Sequence, residues 1–186
     1  MSFNFYFRSK KNSCIMKLIV KGGDCLTWLS HKLLTGSIVF AITGNPVIAI
    51  CIAAGSVLPD MMEGFPDKSN SRQWKKNHRR LSHWLPPYLL LCLFFWRLSD
   101  GRVTTEWVPG ELYNALFHDP FVVVVFLAAW FFAGACFHIL QDAICGQVPM
   151  FLPRSWIGIR LFTVGSLQEY LLIIPWSLGL IAYRLV

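Results

Sequence analysis

Four of the five histidines lie in short polar segments at the edges of apolar runs. His138 and Asp142, in the segment HILQD, are four residues apart, so on a helix they share one face. Ionisable groups near membrane depth are costly and are usually paired, bound to a metal or functional. This pair can therefore offer an imidazole and a carboxylate to a metal ion, or it can be an ordinary polar pair at a helix end.

Three further segments carry imidazoles or carboxylates at such edges. His31 precedes the first apolar run, and Asp60 follows Pro59 at the end of that run. His78 and His83, in HRRLSH, are five residues apart and cannot share a helix face, so a loop or helix entry must bring them together. Taken singly, His31 is typical of an interfacial histidine and Asp60 of the residue after a helix stop.

Taken together, these residues favour a metal site. Imidazole and carboxylate ligands suit zinc, with manganese or iron as alternatives. The six cysteines form no C-x-x-C pair, so a thiolate site is not indicated. Six candidate ligands exceed the needs of one tetrahedral zinc, so we expect one or two divalent ions with open coordination positions. The candidates are His31, Asp60, His78, His83, His138 and Asp142.

Arg79 and Arg80 lie between the two histidines of HRRLSH. They can be the positive flanking charge of a membrane protein, or they can bind the anionic oxygens of a phosphate beside a metal.

The composition is too apolar for an ordinary soluble fold. The mean hydropathy is +0.49, and 15% of the residues are aromatic. The net charge of +7 lies in loops that flank apolar runs, where the positive-inside rule explains it without nucleic acid as a partner. We expect an all-α, multi-pass membrane protein with four to five apolar helices.

The apolar runs predict where these helices lie. Gly44, Asn45 and Pro46 should break the first run into a helical hairpin. We expect Ser82 to cap the next helix and Pro175 to kink or interrupt the last one. The predicted helices cover residues 32–43, 46–58, 85–98, 121–145 and 167–184.

The predicted organisation is simple. Residues 1–27 form a basic N-terminal tail and entry segment, without a signal peptide, and residues 28–186 form a single helical membrane domain.

Loop charges predict the topology. Residues 1–30 carry five basic and one acidic residue, and residues 60–84 carry six basic and three acidic residues. Residues 99–119 carry one basic and four acidic residues. The first two segments should therefore face the cytoplasm and the third the opposite side, which also holds His118. All six candidate ligands then meet at the cytoplasmic membrane face.

Four segments within residues 28–156, namely SHKLLTG, GSVLPD, HRRLSHW and FHILQDAICGQVPMFLP, resemble the YdjM-like family of bacterial inner-membrane proteins, described as metal-dependent hydrolases. That family is distantly similar to the zinc-dependent phospholipase C and single-strand nuclease superfamily, all-helical proteins that cleave phosphoesters. The resemblance implies that the six candidates are metal ligands. One departure is PDMMEG, where the family often has PDxDH, so that only Glu63 follows, one position late.

We therefore expect a metal-dependent hydrolase at the cytoplasmic face of the inner membrane, acting on a phosphoester such as that of a lipid headgroup. A metal-activated water would attack, Asp60 or Asp142 would serve as base, and Arg79 and Arg80 would stabilise charge on the phosphoryl oxygens. The main alternative is a non-enzymatic membrane protein that binds or transports a divalent metal. A third is a structural protein whose polar residues anchor helix ends.

Overall fold

The computed structural model describes residues 27–64, 81–100, 110–159, 161 and 166–186. The fold is mostly helical. The helices are α1 Trp28–Thr43, α2 Pro46–Gly55, α3 Leu58–Glu63, α4 Leu85–Ser99, α5 Glu111–His118, α6 Pro120–Cys145 and α7 Leu167–Leu185. A 3-10 turn, Leu81–His83, precedes α4, and two short antiparallel strands, β1 Val148–Pro149 and β2 Trp156–Ile157, follow α6.

The predicted helical hairpin is confirmed. Gly44 ends α1 with a φ of 67°, and its N–H bonds to the Phe40 carbonyl. The Asn45 side chain then caps α2, which begins at Pro46. However, α1 starts four residues earlier than predicted, because Thr27 accepts from the Ser30 N–H and caps it. His31 therefore lies inside a helix rather than before one.

The expected helix stop at Pro59 is wrong. The helix predicted to run to residue 58 ends at Gly55, and a new helix, α3, begins at Leu58. Pro59 lies in the first turn of α3. A backbone N–H in that turn has no acceptor within the helix, so proline is tolerated there. Asp60 is consequently held on α3, not at a loose helix end.

The predicted N-cap at Ser82 is also wrong. Trp84 occupies the cap position of α4, and the Ser82 hydroxyl donates to Glu63 instead. The later helices match their predicted bounds to within one residue. The interruption expected as one possibility at Pro175 does not occur, because α7 continues through this residue. The short helix α5 lies where a loop was expected.

Helices α2 and α6 cross with their backbones in contact. A side chain at Gly55 would collide with the Phe131 carbonyl, and one at Gly134 with the Ile52 carbonyl. Small residues allow such close helix packing in membrane proteins. Since His138 is one turn beyond Gly134, this crossing places it beside the end of α2.

Two helical segments in the described part of the chain are long and apolar enough to cross a membrane. They are Pro46–Glu63, which comprises α2 and α3, and Pro120–Cys145, which is α6. Helices α2 and α4 pack against α6, and α1 lies between α2 and α7. Large apolar side chains remain exposed on α4 and α7, including Leu90, Phe94 and Leu171.

Candidate metal centre

The structure brings five of the six predicted ligands into one buried cluster. They come from α1, α3, the 3-10 turn and α6. Four of the side chains are fully buried, and that of Asp60 is 7% exposed. The five residues are His31, Asp60, His83, His138 and Asp142. His78, Arg79 and Arg80 lie outside the described residues.

The Nε2 atoms of His83 and His138 lie close to each other and to one carboxylate oxygen each of Asp60 and Asp142. His83 Nε2 lies 3.1 Å from His138 Nε2 and 3.3 Å from both Asp60 Oδ1 and Asp142 Oδ2. His138 Nε2 lies 3.5 Å from Asp60 Oδ1 and 3.8 Å from Asp142 Oδ2. Bonds of about 2.0–2.1 Å to a tetrahedral zinc place its ligand atoms about 3.3 Å apart. Asp60, His83 and His138 therefore form a group that suits one ion.

His31 stands at a second position beside this set. Its Nε2 lies 3.5 Å from Asp142 Oδ1, the carboxylate oxygen that the first set does not use. Its ring stacks on that of His138, with the centroids 3.8 Å apart. His31, His138 and Asp142 form a second group whose potential ligand atoms all lie within 4.8 Å of one another. The cluster thus offers ligands for one or two ions.

The three histidines share one orientation. Each turns Nε2 towards the cluster and Nδ1 towards an acceptor outside it: His31 Nδ1 lies 2.7 Å from Gln141 Oε1, His138 Nδ1 lies 2.6 Å from the Ser56 carbonyl, and His83 Nδ1 lies 3.0 Å from Glu63 Oε1. An acceptor at Nδ1 keeps the proton there, so a neutral ring presents the Nε2 lone pair to a metal. This is the usual arrangement of metal-binding histidines.

The buried polar atoms of the cluster also fit a metal ion. His31 Nε2 and Asp60 Oδ1 are buried and make no hydrogen bond of good geometry within the described residues. An unsatisfied buried polar group costs about 1–3 kcal/mol. An ion held by Asp60, His83 and His138 would give Asp60 Oδ1 a partner, and an ion held by His31, His138 and Asp142 would give His31 Nε2 one.

Electrostatics favour positive charge at this centre. Burial disfavours the charged form of His83, but the carboxylates of Asp142, Asp60 and Glu63 outweigh it and raise the pKa of His83 to about 10. The same carboxylates would attract a metal cation to the position that the proton otherwise neutralises.

Three residues that contact the ligands or the helices carrying them are absent from the predicted site. Glu63 was noted only as a displaced acid, yet it contacts His83. Gln141 lies three residues after His138, a spacing that places both on one face of α6 and is a usable signal. Glu169 is fully buried and accepts from the backbone N–H and hydroxyl of Thr27, which ties α7 to the start of α1. Because Glu169 is far from Thr27 in the sequence, no local pattern indicates this contact.

A family model described as YdjM inner membrane protein matches residues 26–184, a range that contains all six predicted ligands. No curated protein and no solved structure matches the chain significantly.

Proposed function

The chain belongs to the YdjM inner membrane protein family, and we propose that it is a membrane-embedded, metal-dependent hydrolase that cleaves a phosphoester. The support is the buried cluster, in which three imidazole Nε2 atoms and two carboxylates face one another. A polar anchor at helix ends needs no such convergence. Zinc suits these ligands best, with manganese or iron as alternatives.

Each residue has a proposed role. His83, His138, Asp60 and Asp142 hold one ion, and His31 with the second oxygen of Asp142 can hold another. A bound divalent ion supplies a water of lowered pKa and neutralises charge on the phosphoryl oxygens. Asp60 is the favoured base, because it alone among the five is partly exposed while both oxygens of Asp142 face imidazoles.

The reaction needs one water. Its oxygen forms the new bond to phosphorus, and the bond from phosphorus to the leaving alcohol oxygen breaks. Asp60 accepts a proton from the water and donates one to the leaving alcohol oxygen, so its protonation state is restored at the end of the reaction.

The position of the cluster supports action at a membrane surface. Asp60 and Asp142 each lie three residues before the end of a segment able to cross a membrane. Ligands of a transporter are expected near the bilayer midplane. The basic residues of 60–84 favour the cytoplasmic face, in a multi-pass arrangement. Lipid headgroups lie at this depth, which makes their phosphoesters the favoured substrates.

Arg79 and Arg80 are proposed to stabilise the reacting phosphoryl group. In the sequence, both directly precede the 3-10 turn that carries His83. Loss of one transition-state donor costs about 10²-fold in turnover. A charge that serves only membrane docking should matter little to turnover and weaken in salt.

The test begins with elemental analysis of the detergent-purified protein, followed by hydrolysis of bis(p-nitrophenyl) phosphate. We expect about one or two ions per chain, and Arg79→Ala should lower turnover by about 10²-fold with the metal retained. Lys75→Ala is the matched control and should change only the salt dependence of turnover. Equal turnover in the two variants would show that Arg79 contributes only the positive flanking charge of a membrane protein. A metal-loaded protein that cleaves no phosphoester would favour the non-enzymatic metal-binding alternative.

A further inference from the structure

A cavity of about 240 Å³ lies between α1, α6 and α7. Its apolar lining comes from Leu34 on α1, Ile144 and Cys145 on α6, and Leu172, Ile173 and Trp176 on α7. Gln141 completes the wall. The same Gln141 bonds to His31, so this side chain contacts both the cavity and the metal cluster.

The lining offers little to water. Gln141 is its one amide, and both ends of that amide are engaged: Oε1 with His31 and Nε2 with the Thr35 hydroxyl at 2.8 Å. Cavities lined by apolar side chains bind apolar molecules. The chemistry of the walls therefore selects a hydrocarbon.

The cavity opens at the level of the metal cluster. Its α6 residues follow Gln141 in the last turn of that helix, as Asp142 does. Its rim carries Leu172 and Trp176, both more than half exposed. Tryptophan is enriched where hydrocarbon meets the lipid headgroups. If α6 crosses the bilayer, the mouth faces the upper part of the lipid chains.

We propose that this cavity binds the first carbons of an acyl chain of a membrane lipid, and that this lipid is the substrate whose phosphoester reaches the metal centre. The substrate assignment rests on the proposed function. A volume of 240 Å³ holds about eight groups the size of a water or methylene. The remainder of a long chain would stay in the bilayer, so the lipid need not leave the membrane.

Binding can be tested without activity. The protein is placed in nanodiscs of phosphatidylethanolamine and phosphatidylglycerol that contain a phospholipid with a diazirine near the carbonyl end of one chain. After illumination, labelled residues are mapped by mass spectrometry. Cys145 and Ile173 are only 4% and 5% exposed, so a label there requires a chain inside the cavity. Lipid merely surrounding the protein labels Leu90 and Phe94 on α4.

A matched pair of variants sharpens the result. Leu172→Trp places an indole at the rim, whereas Leu171→Trp places the same group on the preceding residue, which does not line the cavity. The two leucines are 58% and 63% exposed. We expect Leu172→Trp to reduce labelling of Cys145 about tenfold, the effect of withdrawing two methylenes from apolar surroundings. Leu171→Trp should leave it unchanged. Labelling confined to α4, or cross-links from the cavity to a second copy of the chain, would overturn the lipid site.

Hydrolysis separates the two proposals. Relative to bis(p-nitrophenyl) phosphate, kcat/KM for a long-chain phospholipid should fall about tenfold in Leu172→Trp and stay at the wild-type ratio in Leu171→Trp. Equal ratios in both variants would refute the chain site and leave the hydrolase intact. Labelled Cys145 without cleavage of either substrate would refute the hydrolase and the substrate assignment and retain the chain site.

Discussion

Gln141 offers a sharp test of the metal centre, because it touches the cluster without belonging to it. Its Oε1 lies 2.7 Å from His31 Nδ1, its Nε2 donates to Thr35 at 2.8 Å, and its side chain is buried. Gln141→Leu keeps much of the volume and removes both hydrogen bonds. His31 then keeps its place on α1 and loses the acceptor that fixes its tautomer.

The magnitude follows from these two contacts. The buried Nδ1–H of His31 is left without its acceptor, which costs about 1–3 kcal/mol of folding free energy whether or not metal is bound. Loss of an outer hydrogen bond to a metal-binding histidine also weakens metal affinity by about 10–100-fold. The second effect is separable from the first, because it appears in the affinity of the folded protein.

The assay is competition for zinc between the folded protein and a chromophoric chelator. Thr35→Val is the control, because it removes the partner of the amide nitrogen and leaves the bond to His31 in place. Its affinity should fall by less than about tenfold, the lower limit for a direct outer partner. Gln141→Glu retains an acceptor and should bind zinc at least as tightly as the wild type. Wild-type affinity in folded Gln141→Leu would show that His31 is not a ligand.

Three further predictions address the ligands, the helix crossing and the topology. Asp142→Asn should lose most of the bound metal in elemental analysis, because an amide is a poor substitute for a carboxylate between three imidazoles. Asp119→Asn is the control and should keep the metal, because Asp119 only caps the start of α6 and asparagine is also a good N-cap. Gly134→Ala should lower the thermal midpoint by about 5 °C through overpacking, whereas Gly179→Ala, whose new methyl meets open space, should not. A reporter fused after residue 70 should be cytoplasmic and one near residue 108 periplasmic, because the flanking charges differ in sign; the same side for both would refute the topology.

Local spacing accounts for what could be predicted of the site. His138 and Asp142 are four residues apart on a long apolar run, which is enough to place both on one face of α6. His31 and Asp60 bracket a hairpin whose break at Gly44–Pro46 is a strong signal. Residues that begin and end such a hairpin return to the same side, so their meeting follows from chain connectivity.

The parts that escaped prediction depend on longer-range packing or on ambiguous signals. Proline both ends helices and begins them, so Pro59 alone could not show that Asp60 starts a new helix. The bond from His138 to the Ser56 carbonyl exists because α2 and α6 touch at Gly134. No local sequence pattern near His138 or Ser56 indicates that α2 and α6 are in contact.

The depth of Asp142 bears on the choice between a hydrolase and a transporter. Helix α6 begins at Pro120, and 22 residues at about 1.5 Å each place Asp142 about 33 Å along it. A bilayer has a hydrocarbon core about 30 Å thick, so a helix that enters at Pro120 without tilt carries this carboxylate to the far edge of the core. Water and lipid phosphates are both present at that edge, and a hydrolase acting on a headgroup requires both. A transporter site at the same place would lie beside one aqueous phase, with most of the membrane still to be crossed.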